Sequence, residues 1–106
     1  MALPTHPANI VAYELVFKPG ITQVDGDRTP GLNYIFIEAH HAGEPLKMHY
    51  ENDGLWHQRL AEIFGAADAT AIMTQLELGD IARVPGTFTR ETLAALRFHP
   101  DLLKIA

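Results

Sequence analysis

Two segments in the middle of the chain alternate apolar and polar residues and are separated by a sequence typical of a turn. Residues 32–41 and 46–51 each show the period of two that places successive side chains on opposite faces of a strand. Between them, Gly43 can adopt the positive φ that a tight turn needs. The pattern predicts an antiparallel hairpin with one apolar and one polar face.

A turn centred on Gly43-Glu44 predicts the register of this hairpin. It places Glu38 opposite His49 and Ala39 opposite Met48, and a slip of one residue would mix the two faces. The predicted apolar face holds Ile37, Ala39, Leu46, Met48 and Tyr50. The predicted polar face holds Glu38, His40, Lys47, His49 and Glu51.

Two more strands are predicted outside the hairpin. Residues 10–17 alternate with period two and have one strongly apolar face. Residues 81–84 form a short strand that Pro85-Gly86 ends. The intervening residues 18–31 contain two prolines and three glycines, which predicts either a small protruding hairpin or a functional loop.

Helices are predicted after the hairpin. The first follows Asn52-Asp53 and runs to Phe64, where Gly65 is placed to end it. Residues 68–78, with Asp68 as cap, fit both a helical stripe and a strand alternation, and the helix is favoured.

The C-terminal segment has a clear helix start. Thr89 can cap the helix, with Phe88 and Leu93 as a hydrophobic staple, and His99-Pro100 ends it. Residues 102–105 are apolar enough for an edge strand. The chain is therefore predicted to be α+β, with a mostly antiparallel sheet of three to five strands and two or three helices packed on one face.

Composition sets the class of protein. The 106 residues are 47% hydrophobic and 20% charged, which fits one globular domain over residues 1–106. We expect residues 1–8 to form a loose arm because Pro4 and Pro7 block regular pairing, and they do not resemble a signal peptide. The absence of cysteine removes disulfides, thiolate metal sites and a Cys nucleophile, and it suits the cytoplasm.

Charge and hydropathy bear on the partners. The net charge is -5 and the eight basic residues are scattered, which argues against nucleic-acid binding. No apolar run approaches the roughly 20 residues that span a bilayer. We therefore expect a soluble cytoplasmic protein whose partners are neither nucleic acid nor membrane.

Histidines are the one suggestive chemical feature, since four of six fall between positions 40 and 57. In the predicted register, His40, His49 and Glu38 share a face and could hold zinc or a similar divalent metal, or act as a general base. His57 could close onto this cluster. The alternative is an ordinary solvated sheet face with weak cross-strand pairs.

The same face also carries aromatic residues, because Tyr34 and Phe36 project beside its charged groups. Either helices cover this aromatic end or it is an exposed patch that binds something. The candidate binding residues are Tyr34, Phe36, Glu38, His40, His49 and Glu51. No nucleophile elbow or P-loop occurs. We therefore expect a non-catalytic protein-interaction or accessory module. It would bind a protein partner or associate with further copies of itself. The alternatives are a His-ligated metal protein or small enzyme, and a small-ligand site between sheet and helices.

Residues 88–97, FTRETLAALR, followed by His99-Pro100-Asp101-Leu102, resemble the endings of small proteins of Mu-like phages and prophages. The shared pattern is a capped helix, an apolar stripe and a proline stop. The resemblance implies a phage-encoded accessory or virion protein that works by binding protein. It transfers no functional residue.

Overall fold

The computed structural model describes residues 10–22, 31–41 and 43–99. Within them, the elements are β1 (Ile10–Thr22), β2 (Gly31–His40), β3 (Leu46–Glu51), α1 (Trp56–Phe64), α2 (Ala66–Glu77), β4 (Ala82–Thr89) and α3 (Arg90–Ala95). The strands form one antiparallel sheet in the order β3-β2-β1-β4. The α+β prediction is confirmed. The predicted arm over residues 1–8 and the edge strand over 102–105 lie outside the described residues.

Strand β1 is longer than its sequence pattern predicted. It was expected to end at Phe17, but it continues to Thr22 and pairs with β2 as far as Gly31. The pairing with β4 stops at Phe17 and Ala82, so beyond Phe17 one side of β1 is open within the described sheet. Pro19 is tolerated there because its missing N–H can face that open side. Residues 18–22 and Gly31 are therefore paired strand, as the hairpin alternative requires, and residues 23–30 lie outside the described residues.

Strand β4 also continues past its predicted end. Pro85-Gly86 was expected to end it, yet the strand runs on to Thr89. β4 is an edge strand, where a proline costs no ladder hydrogen bond, and the register of the facing β1 is irregular between Ala12 and Glu14. Gly86 has a φ of 152°, a backbone conformation that residues with a side chain rarely adopt. The irregular stretch of β4 therefore contains a glycine where the backbone needs one.

The register of β2 and β3 differs from the predicted one by two residues. Glu38 lies opposite Lys47, and Phe36 lies opposite His49. A two-residue turn at Gly43-Glu44 would need a backbone donor at position 45, and Pro45 has no N–H. A shift of two leaves every side chain on its predicted face, so the division into two faces is correct although the pairs are not.

The apolar side of the sheet packs against the helices. Ile35, Ile37 and Ala39 of β2 are fully buried in a cluster with residues of all three helices. Phe64 of α1 makes edge-to-face contacts with Phe17 of β1 and Phe88 of β4, at ring-centroid distances of 6.3 and 6.2 Å. The helices therefore cover one face. None of those in the described part is long and apolar enough to cross a membrane.

α1 has no side-chain cap, so the prediction that Asn52-Asp53 caps it is wrong, and Gly65 separates α1 from α2. Asn52 and Asp53 accept hydrogen bonds from the amides of Gly54 and Leu55, at 3.2 and 3.0 Å, so α1 begins only at Trp56. Gly65, at a φ of 93°, ends α1 as predicted and precedes α2 directly.

The helical interpretation of residues 68–78 is correct, but its predicted cap is not. Asp68 lies inside the first turn of α2, because Gly65 already separates the two helices and α2 begins at Ala66. There its carboxylate is close to the positive end of the helix dipole.

Helix α3 starts as predicted and ends early. Thr89 accepts a hydrogen bond from the Thr92 amide at 3.3 Å. The helix ends at Ala95 rather than near His99, because Arg97 adopts a φ of 69°. The Arg97 and Phe98 amides donate to the carbonyls of residues 94 and 93, at 2.9 and 3.0 Å, which is a Schellman motif.

Candidate functional site

The sheet face opposite the helices is the candidate site, and we call it the open face. It carries every second residue of each strand, as the strand registers require. Its members are Glu14, Val16, Lys18 and Gly20 of β1, Tyr34, Phe36, Glu38 and His40 of β2, Lys47, His49 and Glu51 of β3, and Arg83 and Pro85 of β4. All six predicted binding residues therefore lie on one surface.

An aromatic cluster occupies one part of the open face. The ring of His49 lies 5.6 Å from that of Phe36 and 6.4 Å from that of Tyr34, between centroids. Phe36 remains 40% exposed. Gly20 lies beneath these side chains, since a Cβ there would be 2.7 Å from both Phe36 Cε2 and Tyr34 Cβ. The glycine lets the two rings lie close to β1.

A charged cluster centred on Glu38 adjoins the aromatic one. Lys18 Nζ lies 2.7 Å from one carboxylate oxygen of Glu38, and His40 Nε2 lies 2.9 Å from the other. The Glu38 side chain is only 14% exposed. The hydrogen bond from Lys18 lowers the pKa of Glu38 against the opposing effect of burial. The carboxylate is therefore ionised and held from both sides.

The remaining charges balance each other across the open face. Arg83 Nη1 lies 3.5 Å from Glu14, and Lys47 lies opposite Glu38. Val16 is buried to 1% exposure although it lies outside the hydrophobic core cluster, between Glu38 and Arg83. Long charged side chains can cover such a residue with their aliphatic parts. The face carries three acidic and three basic residues, Glu14, Glu38, Glu51, Lys18, Lys47 and Arg83.

The predicted zinc cluster does not assemble. The shifted register places His49 opposite Phe36, four residues along β2 from His40. His57 lies on α1, away from the open face, with its Nε2 3.0 Å from Thr70 Oγ1. Over residues 10–22, 31–41 and 43–99, no group of three or more His, Asp or Glu side chains could hold a metal ion.

A polar depression beside β3 was missed by the sequence interpretation. It has a volume of about 560 Å³, and its lining includes Tyr50, Trp56, Arg59 and Arg97. Arg59 binds both carboxylate oxygens of Asp53, at 3.1 and 2.8 Å, and lies 5.0 Å above the ring of Trp56. The guanidinium and the Leu55 amide lower the pKa of Asp53 to about 2.

The contacts in this depression are structural. The rings of Tyr50 and Trp56 lie 5.3 Å apart, between centroids, at a tilt of 40°. The Tyr50 hydroxyl donates to the Arg97 carbonyl, which ties β3 to the end of α3. Because Asp53 neutralises Arg59, the depression has no strong net charge. The sequence signal that could have indicated this depression was the spacing of Asp53 and Arg59, six residues apart across the start of α1.

Comparison with protein-family models, with curated proteins and with solved structures finds no match to this chain. What the protein does must therefore be inferred from the open face itself.

Proposed function

We propose that the protein is a non-catalytic interaction module that binds another protein through its open face. The observation that carries this proposal is the exposed aromatic cluster of Tyr34, Phe36 and His49. It lies beside ion pairs, on a sheet face that none of the described helices covers. Aromatic residues within a polar surround are typical of protein interfaces.

The charge pattern supports a protein partner. The equal numbers of acidic and basic residues on the open face give no general attraction for a polyanion such as nucleic acid. A protein surface can present an apolar side chain to Phe36 together with charges of both signs. Glu38, which Lys18 and His40 hold in place, offers such a partner a preorganised acceptor.

The biological setting is part of the same proposal. The resemblance of residues 88–102 to endings of Mu-like phage proteins supports a phage-encoded accessory or virion protein, so other proteins of such a phage are the first partners to test. A cysteine-free chain suits the cytoplasm, where we place the interaction.

The proposal is tested by a matched pair of substitutions at exposed apolar residues. Phe36→Ser removes the centre of the aromatic cluster, and Leu78→Ser removes a 73% exposed side chain just beyond α2. Immobilised wild-type and variant proteins are incubated with an extract of the source cells. Any partner that wild type retains is purified, and its Kd for each variant is measured by calorimetry.

We expect Phe36→Ser to weaken the complex by at least about tenfold, because truncating an interface aromatic commonly costs more than 1 kcal/mol. Leu78→Ser should leave the Kd unchanged. A partner that binds both variants equally well would contradict the assignment of the open face.

A further inference from the structure

Strand β3 presents a row of backbone groups at the edge of the sheet that the described residues form. The Asn52 amide donates to the Asn33 carbonyl at 2.8 Å, in the same register that pairs β2 with β3. In an antiparallel ladder every second residue bonds to the same neighbour, so Tyr50, Met48 and Leu46 also face β2. The N–H and C=O groups of Lys47, His49 and Glu51 therefore point outward. These three residues are exposed.

The two edges of the sheet differ in their protection against pairing. β4 carries Pro85-Gly86 and faces an irregular register, which are common devices that prevent a further strand from adding. β3 has neither proline nor glycine over its six residues. One group on its outer row is engaged, since Trp56 Nε1 donates to the Glu51 carbonyl at 3.3 Å. That carbonyl keeps a second lone pair.

We propose that β3 of a second copy of this chain adds to this edge, antiparallel, about a two-fold axis at His49. In this register Lys47 lies opposite Glu51 of the second copy, and the symmetry repeats the pair. Met48 lies opposite Tyr50 on the other face, and His49 lies opposite its own equivalent. The strand is therefore complementary to itself in charge, in apolar character and in backbone hydrogen bonding.

Other two-fold registers are less complementary. An axis at Tyr50 would pair His49 with Glu51, but it would place Lys47 opposite Asp53, which lies beyond β3 and already binds Arg59. An axis at Lys47 would place two lysines opposite each other, and an axis at Glu51 would place two glutamates opposite each other. An axis at Met48 would pair Lys47 with His49 and leave Glu51 opposite Pro45, which has no N–H. The charge pattern of β3 thus selects the axis at His49.

The dimer deepens the proposed function and rests on it. Two sheets joined at β3 form one eight-stranded sheet with a continuous open face. Phe36 lies opposite His49 within each copy, so both aromatic clusters lie next to the axis. The partner of the open face would then contact both copies at once.

A charge-exchange experiment tests the register. The Kd of dimerisation is measured by sedimentation equilibrium for wild type, Lys47→Glu, Glu51→Lys and the double variant. Each single variant should raise the Kd about tenfold or more, because it creates two like-charge pairs, and the double variant should return it to within about threefold of wild type. Glu77→Lys, at the exposed end of α2, is the control and should have no effect.

Amide hydrogen exchange of wild type tests the edge without any substitution. The amides of Lys47, His49 and Glu51 should exchange more slowly as protein concentration rises, whereas dimerisation through the open face alone would leave them unchanged. Three results would overturn the edge pairing. Wild type could stay monomeric up to about 100 μM, or neither single charge reversal could change the Kd of dimerisation. The third is a double variant that dimerises as weakly as the single variants. A Kd of about 100 μM is an ordinary upper limit for a weak but specific dimer.

The outcome is separable from that of the proposed function. Phe36→Ser should leave the dimer intact and lose the partner. A monomeric wild type that still binds a partner through Phe36 would remove the edge pairing and keep the open face as the binding surface. A dimeric wild type whose partner binds the Phe36→Ser variant equally well would keep the edge pairing and remove the open face as the binding surface.

Discussion

Arg97 has a backbone conformation that glycine adopts without strain. Its φ of 69° lies in the left-handed region, at the position of a Schellman motif that is commonly glycine. A side chain there costs roughly 1–2 kcal/mol relative to the right-handed region. The Tyr50 hydroxyl bonds to the Arg97 carbonyl, a group that any residue provides. The strain at position 97 therefore arises from the presence of a Cβ, and glycine would relieve it without loss of the Tyr50 hydrogen bond.

We predict that Arg97→Gly stabilises the protein by about 0.5–1 kcal/mol, because part of the relieved strain is offset by the greater freedom of glycine in the unfolded chain. Urea unfolding followed by circular dichroism measures the change. Arg97→Ala is the matched control: it also removes the guanidinium but keeps a Cβ, so it should give no gain. Equal stabilisation by both variants would show that the guanidinium, not the backbone, is unfavourable.

Single residues also mark the limit of prediction from the sequence. The strong signals at Gly65 and Thr89 were interpreted correctly, because each acts through its immediate neighbours. The two residues of the predicted staple, Phe88 and Leu93, are both buried. The unusual φ of Arg97 was not predictable, since arginine is no signal for the left-handed region. It arises where Phe98 turns back into the core.

At the scale of elements, the hairpin of β1 and β2 depends on a close approach at Gly20. The ring of Phe36 and the Cβ of Tyr34 fill the space that a side chain at this position would need. Gly31, at the same end of this pairing but on the facing strand, has Asn33 Oδ1 as the nearest atom to an added Cβ, at 3.6 Å. That distance is an ordinary van der Waals contact. The two glycines are thus a matched pair in one hairpin.

We predict that Gly20→Ala destabilises the protein by about 1–3 kcal/mol and displaces Phe36, as overpacking does in a dense interior. Gly31→Ala should be nearly neutral. Urea unfolding gives the free energies, and the aromatic NMR resonances of Phe36 and His49 report the displacement. A neutral Gly20→Ala with unchanged resonances would mean that the rings do not lie over Gly20.

The elements show which patterns carry information about pairing. Alternation in 32–41 and 46–51 was enough to assign the two faces, because burial of one face depends only on the period of two. The register was not available from alternation, since a shift of two residues preserves it. Pro45 was the informative residue, and its missing N–H excluded the tight turn. The predicted cluster of His40, His49 and Glu38 failed for this reason, because it required one particular pairing. His57 could not join it, since it lies on α1 away from the open face.

At the scale of the whole molecule, the connection between β3 and β4 explains the open face. β3 and β4 are the two edges of the sheet, and α1 and α2 cross between them on the side of Ile35 and Ile37. α3 follows β4 and contributes Leu93 to the same side. Every described helix therefore covers the same face. Alternation alone left open which face of the hairpin the helices would bury, and the structure places them on the Ile37 side.

The same topology predicts that two parts of the molecule differ in stability. β1, β2 and β3 follow one another in the chain and pair with their sequence neighbours, whereas β4 returns over two helices to pair with β1. The ladder between β1 and β2 is nearly continuous from Glu14 to Thr22. The ladder between β1 and β4 has two irregularities within Ile10 to Glu14. The unit of β4 and α3 should therefore open before the β1–β3 meander does.

We predict that native-state hydrogen exchange divides the β1 amides into two alternating classes. Amides that donate to β2 should exchange only through global unfolding, and those that donate to β4 should exchange faster, through detachment of β4 and α3. The alternation arises because successive amides of a central strand point to opposite neighbours. Two-dimensional NMR over a series of low urea concentrations measures both classes. Equal free energies for the amides of Leu15 and Val16, which donate to opposite sides, would show that the sheet opens as a single unit.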